Sequence, residues 1–310
     1  MVAYILSRLA RLFFVFIVVT MVAFLLMHNV PGGPFDEINM PLDAASKARI
    51  LAKFGLDQPL HVQYYKYMSR ALQGDFGISY ANPGQTVGQV IGSVWPKSLQ
   101  LGGVTVIVAI GLGLFMGILA GVRQNTWIDR VVTFVAALGM TVPNFIISIW
   151  MILIFVVKLH WLPIALDSSH WNDPKAWIMP VVALGLGPLG FASRFTRGSL
   201  TDVMTSDYIR TARAKGLSEV MVVWRHALKN ALIPIITALG PMIPNLMTGT
   251  IFVETMFRVN GIGKFFVTSI TSRDYPMVLA LMLIIASVWG LVYLLTDLLS
   301  TVIDPRIKLD

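Results

Sequence analysis

Of the 310 residues, 56% are hydrophobic and only 13% charged, and the mean hydropathy is +0.73. Soluble domains carry about a quarter charged residues, so this composition excludes an ordinary globular domain. The absence of cysteine removes disulfides, Cys-ligated zinc and iron–sulfur clusters. The net charge of +8 falls mostly in short segments between apolar runs, the pattern of membrane orientation rather than of nucleic-acid binding.

The first apolar run is Leu9–Val30. Its length of about 22 residues gives roughly 33 Å of helix, enough to cross the hydrocarbon core. Arg8 and Arg11 flank its start as they would in a signal peptide. The run is longer than a usual signal core, however, and ends in Val30-Pro31-Gly32-Gly33-Pro34 without an Ala-x-Ala-like site, so it is read as a retained span. Residues 31–98 are polar enough to form a small extracytoplasmic cap. Within it Asp43 can cap a helix running to Phe54 with Gly55 at its stop, and a second helix covers about His61–Leu72.

Further spans are predicted at Leu99–Val122, Val131–Val157, Trp177–Ser193, Ala231–Val253 and Met277–Ile303. In the first of these, Gly113, Gly117 and Gly121 recur every four residues, a spacing that lets a neighbouring backbone approach closely. Trp177–Ser193 is the weakest, being short and interrupted by Pro180, Gly185, Gly187, Pro188 and Gly190. Such a helix survives in lipid only if its neighbours satisfy the freed backbone groups. Charge retains it as a span. Without it, Arg194, Arg197, Arg210, Arg213, Lys215, Arg225 and Lys229 would all move to the external side, against the inside bias of basic residues. The chain therefore reads as an all-α membrane protein of six transmembrane helices with both ends in the cytoplasm. Its parts are an N-terminal helix (1–30), the cap (31–98), a five-helix domain (99–303) containing a cytoplasmic loop (194–230), and a short tail (304–310).

Catalysis is not expected of this chain, nor a resident metal or cofactor. Gly261-Ile262-Gly263-Lys264 is followed by Phe265, where a phosphate-binding loop needs Ser or Thr. His28, His61, His160, His170 and His226 share no metal-ligand spacing, and no GxSxG elbow is present. Acidic residues near mid-membrane, expected of an ion-coupled carrier, are scarce. Asp297 lies near the end of the last span, where it can reach the interface or a helix partner, and Glu254 follows the fifth. The energy for any transport is thus expected from another chain, and a stand-alone secondary carrier is the disfavoured reading. Asn144 beside Pro143, and Asn245 beside Pro244, put polar groups at disrupted points of the third and fifth spans. With Glu254 they are candidates for the pathway, interhelical hydrogen bonding being the equally available role.

The loop 194–230 is far longer than the roughly 2–8 residues a helix connection needs. Thr211–Lys215 favours a short helix that Gly216 can end in the left-handed conformation. After it Leu217, Val220, Met221, Trp224, Ala227 and Leu228 fall on one apolar helix face, suited either to membrane lipid or to a protein partner.

The run RTARAKG followed by HALKNALIP resembles the cytoplasmic loop motif of ATP-binding-cassette importer permeases, in the form used by the oligopeptide/dipeptide branch. The resemblance covers nearly the whole chain through VPGGPF, FGLDQPL, GDFGIS, TVPNF, HWLP, SRFTRGSL, VETMF, GIG, RDYP and DPRIK, in that order. It is especially similar to the oligopeptide-type first permease subunit. The resemblance implies a type I importer fold in a bacterial inner membrane, with a second homologous permease, two ATPase subunits holding ATP and Mg, and an extracytoplasmic solute-binding protein. Peptides are the implied ligand, with nickel, haem or sugars as the family's alternatives. It also implies that Tyr208, Arg210, Thr211, Ala212, Arg213, Ala214, Lys215, Gly216 and Leu217 form a coupling helix docking on the ATPase, with His226, Asn230 and Pro234 in the return to the membrane. Two positions depart from the general pattern. Arg210-Thr211-Ala212 replaces Glu-Ala-Ala, and Asn260-Gly261-Ile262-Gly263 lacks the proline of Pro-Gly-x-Gly.

Overall fold

The computed structural model describes residues 2–29, 32–35, 44–82 and 84–303. The predicted Asp43 cap, the Val30-Pro31 end of the first run and the tail 304–310 lie outside the described residues. Helices dominate. The β pairing among the described residues is an isolated bridge between Ile78 and Thr86.

Helix α1 (Val2–Asn29) holds the first apolar run, and α2 (Ala44–Phe54) and α3 (Leu60–Ala71) follow. Gly55, at φ +68°, supplies the left-handed residue after α2. Helix α4 (Val87–Val122) starts well before the predicted Leu99 and passes through Pro96. The third predicted span is not one helix. Val142 is extended before Pro143, as the proline ring demands of the residue preceding it. The axis consequently turns by 103° between α5 (Trp127–Thr141) and α6 (Asn144–Met151), which continues as a π-helix over Ile152–Lys158.

The doubtful fourth span proves to be a long helix, α7 (Pro174–Met204), running past its predicted end at Ser193. Asp173 caps it by accepting from the Lys175 backbone N–H at 2.9 Å, and Pro174 occupies the first turn, where its missing N–H costs nothing. Of its apolar window 56% is buried, against 17–28% for the other four long apolar helices. It is an interior helix, which explains how it tolerates Pro180 and Pro188. Next come α8 (Asp207–Ala214), α9 (Glu219–Met221), a π-helix over Val222–Ala227, α10 (Leu228–Leu239), α11 (Met242–Met247) and α12 (Ile251–Met256). The fifth predicted span is therefore broken, with Gly249 at φ +83°. Helices α13 (Ile262–Thr271) and α14 (Tyr275–Ile303) complete the described chain. Among the described residues, α1, α4, α7, α14 and the interrupted helical stretch Pro234–Met256 are long and apolar enough to cross a membrane, and the bent pair makes six when taken as one span. Ile107 is 74% exposed and Phe14 67%. Such large apolar side chains are where lipid contact is expected.

The chain divides into two compact units. One is built on Lys97–Asn260 with Val288 onward and the first residues of α1. Its interior holds a cluster around Leu101, Met179, Leu184 and Phe257 and another around Leu200, Ile209, Val222 and Ile235. The predicted glycine face packs here. A Cβ on Gly117 would lie 2.5 Å from the Thr196 Cβ and 2.6 Å from the Ser193 carbonyl, and one on Gly113 would lie 2.7 Å from the Ala192 Cβ. α4 and α7 approach at backbone distance because those positions have no side chain.

The other unit comprises Leu6–Pro96 and Gly261–Ser287. Val87, Ile91, Ile262, Met277 and Leu281 form its main cluster. Asp274 is fully buried, accepts from the Ser79 hydroxyl and, at 3.2 Å, from the Ala81 backbone N–H. It thereby anchors the loop after Gly77.

Candidate functional site

Helix α8 is amphipathic at the shortest useful scale. Ile209 and Ala212, three residues apart, are buried in the cluster containing Leu200, Val222, Ala227, Ala231 and Ile235. Tyr208, Arg210, Thr211, Arg213, Ala214 and Lys215 face outward. The helix ends as predicted on a left-handed glycine, Gly216 at φ +76°. The Gly216 N–H bonds the Arg213 carbonyl at 2.9 Å and the Leu217 N–H bonds the Ala212 carbonyl at 3.4 Å. These two bonds, with Leu217 packing into the same cluster as Ala212, make a Schellman turn.

Two side-chain links fold the return segment against α8. Arg213 donates to both oxygens of Glu219 at 2.7 and 3.2 Å, closing a charge-assisted clasp across the turn. Asn230 donates to the Tyr208 hydroxyl at 2.8 Å and to the His226 carbonyl at 3.3 Å. Pro234 lies inside α10 and is exposed, and His226 is half-buried.

The predicted apolar face after Gly216 divides: Leu217 and Ala227 pack into the core, and the rest of its large side chains do not. Val222, Val223 and Ala227 turn inward, whereas Val220 (70% exposed), Met221 (44%) and Trp224 (63%) remain outside. The cause is the π-helix over Val222–Ala227. Its wider turn advances the register relative to the 3.6-residue repeat on which the prediction rested. An exposed apolar ridge is left beside the polar face of α8.

Sequence reasoning missed the ion pair that fixes the start of α5 to α7. Arg197 donates from Nε and Nη2 to the two carboxylate oxygens of the buried Asp129, at 2.5 and 2.8 Å. The Asn125 backbone N–H also bonds Asp129 at 2.9 Å, and Gln124 donates to the Thr201 hydroxyl at 3.0 Å. The signal available was a lone carboxylate at the start of an apolar run; nothing in the spacing points to a partner so far along the chain.

Of the pathway candidates, Pro143 caps α6 and Asn144 is its first residue. The Phe145 and Phe252 rings meet at 5.6 Å, which brings α6 beside α12. Glu254 is buried and accepts from the Ser98 hydroxyl at 2.7 Å. Pro244 is buried within α11 and Asn245 exposed. Neither Asn144 nor Asn245 makes a side-chain hydrogen bond among the described residues. Asp297 takes the helix-partner role, accepting from the Tyr4 hydroxyl at 2.6 Å.

Residues 110–309 match the binding-protein-dependent transport system inner membrane component family, and residues 1–101 match its N-terminal region. The chain belongs to this family. The permease is 37% identical to the dipeptide transport system permease protein DppB of Bacillus subtilis (strain 168), covering 100% of this chain and 99% of that one. It is 37% identical to the oligopeptide transport system permease protein OppB of Escherichia coli (strain K12), over 94% of each chain. It is 38% identical to the glutathione transport system permease protein GsiC of Salmonella choleraesuis (strain SC-B67), over 99% of each. Among solved structures, a chain of the inward-facing MetNI methionine ABC transporter superposes with a TM-score of 0.54 at 17% identity, covering 69% of this permease and 96% of that chain. The fold is that of an ABC importer permease, and the protein is a multi-pass inner-membrane component of a transport system.

Proposed function

We propose that the protein is one of two permease subunits of a peptide importer, driven by ATP hydrolysis in two separate ATPase subunits and supplied by an extracytoplasmic solute-binding protein. Both chain ends and α8 lie on the cytoplasmic side in this reading, following the bias of basic residues. The supporting observation is the construction of α8. Its apolar side is seated in the core, its outward side is polar, and the Schellman turn and the Arg213–Glu219 clasp hold it as a rigid peg. The ridge of Val220, Met221 and Trp224 beside it supplies apolar area for the same partner. A groove on an ATPase that closes on ATP would move this peg, and with it α7 and α10, whose Leu200, Ala231 and Ile235 share its core cluster. ATP and Mg belong to the partner subunits.

Peptides are favoured as ligand because the names of the relatives read dipeptide, oligopeptide and glutathione. Reconstitution with a second permease, the ATPases and the binding protein tests the reading. Peptide should stimulate ATP hydrolysis and accumulate in the vesicles, while nickel, haem and sugars should not. Accumulation by this chain alone down an ion gradient would overturn it in favour of a secondary carrier.

A further inference from the structure

The unit of Leu6–Pro96 and Gly261–Ser287 contains a half-open cavity of about 460 Å³, within the size range of small-ligand sites. Its floor is aromatic and apolar, formed by Phe24 of α1, Tyr67 of α3, and Tyr275 and Leu279 of α14, with Phe54 and Tyr80 on its walls. The packing is ordered: His28 lies 4.1 Å from the Phe24 ring and 4.5 Å from that of Tyr275, and Tyr80 meets Phe54 at 4.8 Å. Burial first, and then the neighbouring Asp274 charge, push the Tyr67 and Tyr80 phenols above their usual range, so both remain neutral hydroxyls.

The rim is predominantly basic. Lys53, Lys66 and Arg70 line the cavity, and Asp75 is the acidic residue among them. Asp75 accepts the Gly77 backbone N–H at 2.9 Å and pairs with none of the three. Lys66 donates to the neutral Gln58 side chain at 2.8 Å, and Lys53 lies 6.0 Å over the Phe54 ring. Arg70 makes no side-chain hydrogen bond or ion pair among the described residues. Three cations without a carboxylate partner among the described residues, gathered around one cavity, call for an anion.

The position of the floor selects the kind of anion. The apolar spans that contribute it are Leu6–Asn29 and Tyr275–Leu299. Phe24 is five residues inside the end of the first and Leu279 four inside the start of the second, which is about 6–7.5 Å of helix rise. That depth is the boundary between headgroups and acyl chains, where aromatic rings and basic side chains meet lipid. We infer that this cavity is a binding site for an anionic phospholipid, with the phosphodiester among Lys53, Lys66 and Arg70 and the first carbons of the chains against Phe24, Tyr275 and Leu279.

The absence of cysteine allows a clean probe. Ile78, a lining residue 45% exposed, is replaced (Ile78→Cys) and labelled with an environment-sensitive dye. The assembled transporter in detergent, with cysteine-free partners, is then titrated with short-chain phosphatidylglycerol. A saturable response is expected. It should weaken about a hundredfold in K53A/K66A/R70A and about fivefold in Arg70→Gln alone, at about 1 kcal/mol per basic residue near a lipid surface. All three side chains are exposed, and an unchanged melting temperature confirms that the variants fold. Phosphatidylcholine of the same chain length, inorganic phosphate and a tripeptide should give no saturable response. Equal binding of phosphatidylcholine, a response to phosphate or tripeptide alone, or undiminished phosphatidylglycerol binding in both variants would overturn the assignment.

Discussion

Arg197 on α7 grips both oxygens of Asp129 at the start of α5, and the two residues stand 68 positions apart. With the Gln124–Thr201 bond beside it, this pair ties the turn between α4 and α5 to the helix that leads directly into α8. Any displacement of α8 is therefore passed to a braced α7 rather than absorbed by a loose end.

Removing one member of the pair should be costly. Arg197→Ala leaves a buried carboxylate without its cation, a loss of about 2–3 kcal/mol. This is below the full cost of breaking a buried pair, because the Arg197 side chain is 34% exposed. Thermal unfolding of the purified permease complex reads this loss. D129A/R197A should be more stable than the sum of the two single variants predicts.

Glycines on α4 should divide sharply by face. Gly117→Leu drives a side chain into Thr196 and the Ser193 carbonyl and should destabilise by about 1–3 kcal/mol or prevent insertion. Gly103→Ala and Gly111→Ala, where a Cβ meets nothing within 4 Å, should be neutral or stabilising by up to about 1 kcal/mol. Expression level and melting temperature separate the two classes.

Gly216 tests backbone against bulk. Space around it is open, but its φ is +76°, so Gly216→Val carries about 1–3 kcal/mol of local strain, and peptide-stimulated ATP hydrolysis should uncouple from uptake. Gly216→Asn, which tolerates the left-handed region, should retain most coupling. Equal uptake by wild type and Gly216→Val would remove the coupling role.

The exposed ridge makes the opposite prediction to a core. Trp224→Ala should change the stability of the permease by less than about 0.5 kcal/mol, yet lower ATPase association in a pull-down with purified subunits. A large fall in melting temperature with unchanged association would assign Trp224 to packing.

Much was legible in the residues alone. Apolar run length and the distribution of Lys and Arg determined that the chain crosses the membrane repeatedly, because spanning length and orientation are one-dimensional properties of a helix in a bilayer. The every-fourth glycines announced a close helix contact, and Gly216 announced the end of α8, because both follow from local backbone geometry. Three features were decided by tertiary structure. Burial let Trp177–Ser193 extend to Met204 despite its prolines, because neighbouring helices rather than its own composition stabilise it. The π-turn at Val222–Ala227 brought Val222 and Val223 inward beside Ala227 and left Val220, Met221 and Trp224 outside, because a one-residue change of register is invisible to periodicity. The Asp129–Arg197 pair required two distant helices to meet, and no pattern within either helix carries that information.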